Sequence, residues 1–312
     1  MTTQQSQNLP TGPDYAEQKA EKADTLPQPA SSKESHSTIV DTAQLWTSPG
    51  TVFTTRHLMT DVDPVQSTFP LAAYCFMTGF IDSVSFTAIF VWCGFQTGNS
   101  VQLALALARL FSGPAGSRDT SFHLADQQAL TSVLTFIAGA SLGRIGDRMG
   151  PKTRAWLFLG TMIQALFTMA AALTAWKSGQ GSIAEVRGDP AWTDALTFVA
   201  IAFMSASLGL QGIMGKRVNT QFATTIVLTT VWCELMADPK LLNFRQRVIT
   251  RDHKLIAIVA LFLGGFVGRA IIDAAGAAAT LGVGTGMRVV IAIWWLFVPG
   301  KAAKVAGKPV SA

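Results

Sequence analysis

An aspartate sits inside an apolar run. Leu71 to Trp92 reads LAAYCFMTGFIDSVSFTAIFVW, with Asp82 near the middle. About 20 apolar residues at 1.5 Å rise cover the ~30 Å hydrocarbon core of a bilayer, so the run predicts a membrane-spanning helix. A carboxylate at mid-depth is costly there and normally faces a polar interior. Two readings follow for Asp82: it carries a proton, cation or polar solute, or it pairs helices through hydrogen bonds or a counter-ion. Ser85 lies close by, and Gln96-Thr97-Gly98-Asn99-Ser100 follows. This set offers side-chain oxygens and a helix N-terminus to a solute, and equally the ordinary capping of a helix after a turn. Further on, Gln211, Asn219, Gln221, Thr224, Thr225, Thr229 and Thr230 supply similar groups, with Glu234 and Asp238 at a segment end. Arg288 lies about 10 Å into the last apolar segment, deep enough to need a partner or a snorkelling path. Asp82 and Asp273 are its candidate partners. The candidate solute- or ion-binding set is therefore Asp82, Ser85, Gln96, Thr97, Asn99, Gln211, Thr224 and Arg288.

The elements that would position these residues are apolar helices. Of 312 residues, 49% are hydrophobic and 14% charged, and the mean hydropathy is +0.34. Soluble chains carry about 25% charged residues, so the expected fold is an all-α polytopic membrane protein. Six strong spans are read: Leu71 to Trp92, about Gln127 to Ile145, Ala155 to Trp176, Ala195 to Met214, Leu255 to Ile272 and Leu281 to Val298. Trp156 and Trp176 bracket the third as an expected interfacial belt. Two weaker segments, Thr97 to Phe111 and Thr220 to Met236, leave the total between six and eight. Residues 1–65 are rich in Gln, Ser, Thr, Pro, Glu and Lys, the composition of a disordered polar tail. The transmembrane domain spans 66–298, with halves of about 71–176 and 195–298, and 299–312 is a short basic tail.

An internal repeat organises these spans. Phe76-Met77 precedes Thr97 as Phe203-Met204 precedes Thr224, an offset of 127 (203 − 76). Gly139-Ala-Ser-Leu-Gly-Arg144 matches Gly264-Gly-Phe-Val-Gly-Arg269 at an offset of 125 (264 − 139). By the 127 offset, Asp82 answers to Gly209, so any site is lopsided. Three crossings per half would make the halves inverted, and short interrupted segments in matching positions then point to a substrate site.

Charge selects among topologies. If the weak segments do not cross, Arg144, Arg148, Lys152, Arg154, Lys216, Arg217, Lys240, Arg245, Arg247, Arg251, Lys254 and the lysine tail (Lys301, Lys304, Lys308) share one side. The positive-inside rule then sets both termini in the cytoplasm, in an unspecified membrane. Eight crossings would put the Arg144 to Arg154 cluster outside.

Several chemistries are disfavoured. The net charge of +5 is spread between apolar segments, a topology signal and not a nucleic-acid face. Cys75, Cys93 and Cys233 lie in apolar stretches without metal spacing and read as small core residues. No catalytic Ser-His-Asp or Cys-His arrangement is visible, no phosphate loop surrounds Gly282, Gly284 and Gly286, and no cofactor or metal is implied. The Gly139/Gly143 and Gly264/Gly268 faces suit close helix packing or an oligomer contact, and Arg269 and Asp273 stand four apart to pair. The expected partners are the lipid bilayer and a small solute.

Two resemblances attach to these residues. Gly143-Arg-Ile-Gly-Asp147-Arg148-Met-Gly150-Pro-Lys152-Thr-Arg154 resembles a cytoplasmic loop motif of major facilitator transporters, with a basic interhelical loop as the plainer reading. Gly79 to Ser85 (GFIDSVS), Gln96 to Asn99 (QTGN) and Gly139 to Arg144 together resemble the YoaK-type domain-of-unknown-function family of integral membrane proteins over about 70–298. The long polar tail and Thr224 to Asp238 (TTIVLTTVWCELMAD) are similar to fungal members. The resemblance implies a multi-pass membrane protein and adds no reaction. The expected function is transport of a small polar or ionic solute, with a non-transporting scaffold or assembly factor as the rival and an enzyme disfavoured.

Overall fold

The computed structural model describes residues 54–301 apart from 115, 219, 221–224, 227–228, 244 and 247. Its helices are α1 (Thr55–Leu58), α2 (Thr68–Ile89), α3 (Gln96–Arg109), α4 (Leu124–Leu142), α5 (Ile145–Met149), α6 (Arg154–Ser178), α7 (Ala195–Val218), α8 (Thr229–Met236) and α9 (Ile249–Phe297). No strand occurs among the described residues, only isolated bridges. Among the described residues, five helical stretches are long and apolar enough to cross a membrane: Pro64–Ile89, Leu124–Met149, Arg154–Ser178, Ala195–Val218 and Ile249–Phe297.

The last of these is two helices. Gly276 has φ 80° and ψ 172°, a conformation a helix cannot contain and only glycine adopts cheaply. The Thr68 hydroxyl meets His253 Nε2 at 3.2 Å, while the neighbouring Phe69 stacks on Trp294 at 6.0 Å between centroids. Both ends of α9 therefore meet the start of α2, and the chain reverses at Gly276. Arms 249–275 and 277–297 run antiparallel, about 40 and 30 Å long, so each can span. Six crossings result, matching the six read from hydropathy.

The ends sort into two faces. One face gathers the start of α2, the α4–α6 connection, the end of α7 and both ends of α9. Here Val62 N–H donates to the Lys152 carbonyl at 2.9 Å, and Asp63 N–H to the Pro299 carbonyl at 2.8 Å. The Arg154 guanidinium clamps the Val298 carbonyl at 2.8 and 3.0 Å and the His57 carbonyl at 3.0 Å. So 54–65, within the stretch read as polar tail, is ordered against the helix ends, while 1–53 lies outside the described residues. The opposite face gathers the end of α2, the 179–194 loop and Gly276. There Ala184 and Ala191 N–H groups donate to the Thr87 and Ala88 carbonyls, and Ser182 Oγ accepts from the Ala277 N–H at 2.8 Å.

Helices approach closely at two matching interfaces. A Cβ on Gly79 would strike the Leu261 carbonyl, and one on Gly264 the Phe76 carbonyl, where α2 meets the first arm of α9. A Cβ on Gly209 would strike the Phe136 carbonyl, and one on Gly139 the Ala206 carbonyl, where α7 meets α4. Gly143 and Gly268 are likewise filled, by Ile213 and by Ser83 with Phe80. Close helix packing and an oligomer contact were both open to these glycine faces; within the chain they serve helix packing.

Apolar side chains face outward along the spans, among them Leu134, Ile137, Leu166, Leu173, Phe262 and Phe266. Gln164, Gln211, Ser132, Ser205 and Arg288 are inside, the pattern of a chain whose solvent is lipid. Trp156, expected at the interface, is fully buried because Gly146 leaves its ring a seat; Trp176 is exposed. Cys75 and Cys93 are buried, whereas Cys233 is exposed on α8, so it is no core residue.

Candidate functional site

The α2 helix ends at Phe90, which takes the left-handed conformation (φ 57°) and closes its N–H on the Phe86 carbonyl at 3.0 Å. The chain then doubles back along α2. Asp82, seven residues before the helix end and so about 10 Å deep, accepts at Oδ1 from the Cys93 N–H at 2.9 Å and the Gly94 N–H at 2.7 Å. From there α3 leads outward again, and Arg109 in its last turn pairs with Asp126 in the first turn of α4. Residues 90–109 thus form a hairpin that enters and leaves by one face.

Side chains from α3, α4 and α7 hold the tip of this hairpin. Asn99 Nδ2 donates to the Trp92 carbonyl at 2.6 Å and to Gln96 Oε1 at 2.9 Å. Gln96 Nε2 donates to the Cys93 carbonyl at 2.7 Å and to Ser132 Oγ at 3.0 Å. Ser132 also donates to the Trp92 carbonyl at 2.8 Å and meets Ser205 at 2.9 Å. No side chain caps α3 at Phe95. Instead the Gln96–Asn99 pair satisfies carbonyls that an irregular turn leaves open, a need that is absolute where water is scarce.

A second tip, Thr225 and Ile226, meets α2 from the other face. Thr78 Oγ1, one turn before Asp82 on α2, donates to the Thr225 carbonyl at 2.9 Å. Thr225 also lies against Gly215, and Ile226 against Gly212, six residues before α7 ends. From there α8 runs back to its own face, where Glu234 pairs with Lys254 at 3.3 Å. Gln211 joins this tip, donating from Nε2 to Thr78 Oγ1 at 2.8 Å and to the Tyr74 carbonyl at 2.9 Å. Gln211 Oε1 and Thr225 Oγ1 are buried without hydrogen-bond partners among the described residues. The two tips therefore dock one helical turn apart on α2, near mid-depth.

Arg288 lies deeper still, fully buried in the second arm of α9. Nη1 donates to Gln164 Oε1 and Nη2 to Ser207 Oγ at 3.3 Å, while Nε has no partner among the described residues. Neither expected counter-ion is present. Asp82 is committed to the Cys93 and Gly94 amides, and Asp273 pairs with Arg269 as the i, i+4 spacing predicted. Beside this group, Tyr74 Oη meets Thr161 Oγ1 at 2.5 Å and accepts from Trp295 Nε1 at 3.1 Å.

Of the eight residues singled out from sequence, Asp82, Gln96 and Asn99 meet at the first tip and Gln211 at the second, with Arg288 in the interior. Ser85 is buried, donates to the Asp82 carbonyl at 3.3 Å and lies against the Cys93 thiol at the first tip. Thr97 is exposed, since the helical register that turns Gln96 and Asn99 inward turns it out. Thr224, like Asn219 and Gln221, lies outside the described residues. Ser132, Ser205, Ser207, Gln164 and Thr78 were missed. Each is one polar residue in an apolar helix, and only the tertiary fold brings them together. Asp82 also borders a groove of about 480 Å³ between α2 and the first arm of α9, lined in part by Gly79, Phe86, Trp92 and Phe266. The Gly143 to Arg154 loop forms the ordinary basic connection, with Asp147 paired to Arg217.

No curated protein and no solved structure matches the chain. A family model described as "Protein of unknown function (DUF1275)" matches residues 71–294, which include both tips, the glycine interfaces and Arg288. On that match, the chain belongs to the DUF1275 family of proteins of unknown function.

Proposed function

We propose that this protein moves a small polar or ionic solute across a membrane. The observation that carries the reading is the meeting of two non-helical tips, at Cys93–Gly94 and Thr225, with Asp82 and Thr78 on one helix. Irregular backbone at membrane depth is tolerated where it is buried in protein or lines a cavity, and matched interrupted segments mark solute sites in inverted-repeat transporters. The glycine contacts support an inverted duplication. Gly79 against Leu261 and Gly209 against Phe136 set an offset of 130 (209 − 79) for the first helices, and Gly264 against Gly139 keeps 125 for the next. On this register Asp82 answers to Gly212, not Gly209, so the acid serves one hairpin only.

The face carrying Arg144, Arg148, Lys152, Lys216, Arg217, Lys240 and Lys301 would be cytoplasmic, with both ends of the transmembrane domain on that side. The finer likeness to YoaK-type members rests on the GFIDSVS, QTGN and Gly139 to Arg144 stretches, and that to fungal members on the long polar tail and Thr224 to Asp238. A non-transporting scaffold is the second reading, and one observation favours it: the Cys93 and Gly94 backbone amides both donate to the Asp82 carboxylate.

Reconstituted vesicles separate the two. We expect pH-dependent flux of a small solute with the wild type and its loss in Asp82→Asn, which keeps a normal detergent elution profile. Folded wild type with no flux for any solute in a broad panel, together with an unfolded Asp82→Asn, would establish the scaffold.

A further inference from the structure

We propose that Arg288 is an anion-binding group, and that its ligand is a small planar oxyanion of the carboxylate or nitrate class. A guanidinium has five N–H donors and keeps its charge in proteins. Only two of the five have acceptors among the described residues, Gln164 Oε1 and Ser207 Oγ, and both acceptors are neutral. The Nε–H is buried and unmatched. No carboxylate lies within 4.0 Å of the group among the described residues.

The neighbours are already committed in a way that leaves the charge uncompensated. Ser207 donates to the Met204 carbonyl at 2.7 Å and Gln164 Nε2 to Met214 Sδ at 3.1 Å. Thr161 donates to the Leu157 carbonyl at 2.6 Å, Thr285 to the Leu281 carbonyl at 3.0 Å, and Tyr74 turns its hydroxyl to Thr161. All are uncharged at neutral pH. An unpaired buried charge is among the most costly features a fold can hold. A water molecule would fill an empty N–H and leave the charge. A planar oxyanion fills two donors at once and neutralises it, the match for which arginine geometry is suited. The identification of this anion with the transported solute rests on the transport reading; the binding site itself does not.

The test is thermal unfolding of the purified full chain in detergent at constant ionic strength, replacing sodium methanesulfonate by sodium formate, acetate or nitrate. We expect a saturable rise in Tm, roughly 5 °C at a hundredfold excess over Kd, with at least one of the three. Arg288→Gln should abolish the rise. If Arg288→Gln does not fold, Gln164→Glu decides: a carboxylate there supplies the missing counter-charge, so Tm should be higher without added anion and the anion response lost. No saturable rise in the wild type, or an undiminished rise in folded Arg288→Gln or Gln164→Glu, would overturn the assignment. Anion binding without flux would leave it standing and remove the transport reading instead.

Discussion

The Gly94 N–H donates to Asp82 Oδ1 at 2.7 Å, and this bond, shared with Cys93, sets how far the chain folds back along α2. A Cβ on Gly94 would come within 2.8 Å of Asp82 Oδ2 and 3.3 Å of Thr78 and Leu208. The acid and the glycine are therefore one device: a carboxylate that receives two amides, and a residue small enough to reach it.

Removing the carboxylate leaves two buried amides without acceptors. We expect Asp82→Ala to destabilise the protein by about 2–4 kcal/mol, since each orphaned amide costs roughly 1–3 kcal/mol. Asp82→Asn keeps an acceptor oxygen and should lose less than half as much. Chemical or thermal unfolding in detergent, followed by intrinsic Trp fluorescence, reads the difference; equal losses would mean that the hydrogen bonds are not what Asp82 supplies.

Arg154 ties the segment before α2 to the residue after α9. Arg154→Met keeps the aliphatic stem and removes three charge-assisted bonds to the His57 and Val298 carbonyls. A loss of about 2–3 kcal/mol is expected. Limited proteolysis should cut between 54 and 67 earlier in this variant than in the wild type.

Glycine contacts at the two helix pairs leave no room for a side chain. Gly79→Leu or Gly139→Leu forces backbone against backbone apart, at a cost of about 3 kcal/mol or more. Gly282→Ala, where nothing lies within 4 Å, should cost under 0.5 kcal/mol. Ranking the melting temperatures of the three variants tests the packing directly.

Asp194 precedes α7 and accepts the Thr197 N–H at 2.9 Å, a helix-capping bond. Partial burial alone would raise its pKa, but the Thr197 N–H and hydroxyl and the Ser178 hydroxyl outweigh it and lower the pKa. A carboxyl lowered in the folded state stabilises above its unfolded value of about 3.9 and loses that contribution as pH falls through the folded value. Asp194→Ala should therefore melt lower by the equivalent of about 1 kcal/mol at pH 7. The gap from wild type should shrink below pH 4. A gap constant from pH 7 to 3 would show that the charge is irrelevant.

How much of this was legible in the sequence follows from what each signal measures. Hydropathy marks crossings because lipid forces every spanning segment to be apolar, and all six segments were readable, including the two that Gly276 joins. That Asp82 is held inside by polar partners was readable because a single carboxylate in such a run stands out. Its partner was not: Cys93 and Gly94 offer backbone N–H groups, which any residue has. Arg288 was equally conspicuous, yet its neighbours Gln164 and Ser207 come from α6 and α7, and periodicity carries no information about which faces of distant helices meet. The repeat register also slipped, since short apolar matches fit at 127 while the Gly79 and Gly209 contacts run at 130.

The central claim is that the Gln96–Arg109 helix belongs to a hairpin entering and leaving by one face, not to a seventh crossing. Single cysteines at Thr55 and Ser117, in a chain with Cys75, Cys93 and Cys233 replaced by serine, test it with a membrane-impermeant thiol reagent. The account predicts that they react from opposite sides of the membrane, and that a cysteine at Lys152 reacts from the side of position 55. Labelling of positions 55 and 117 from the same side would contradict it.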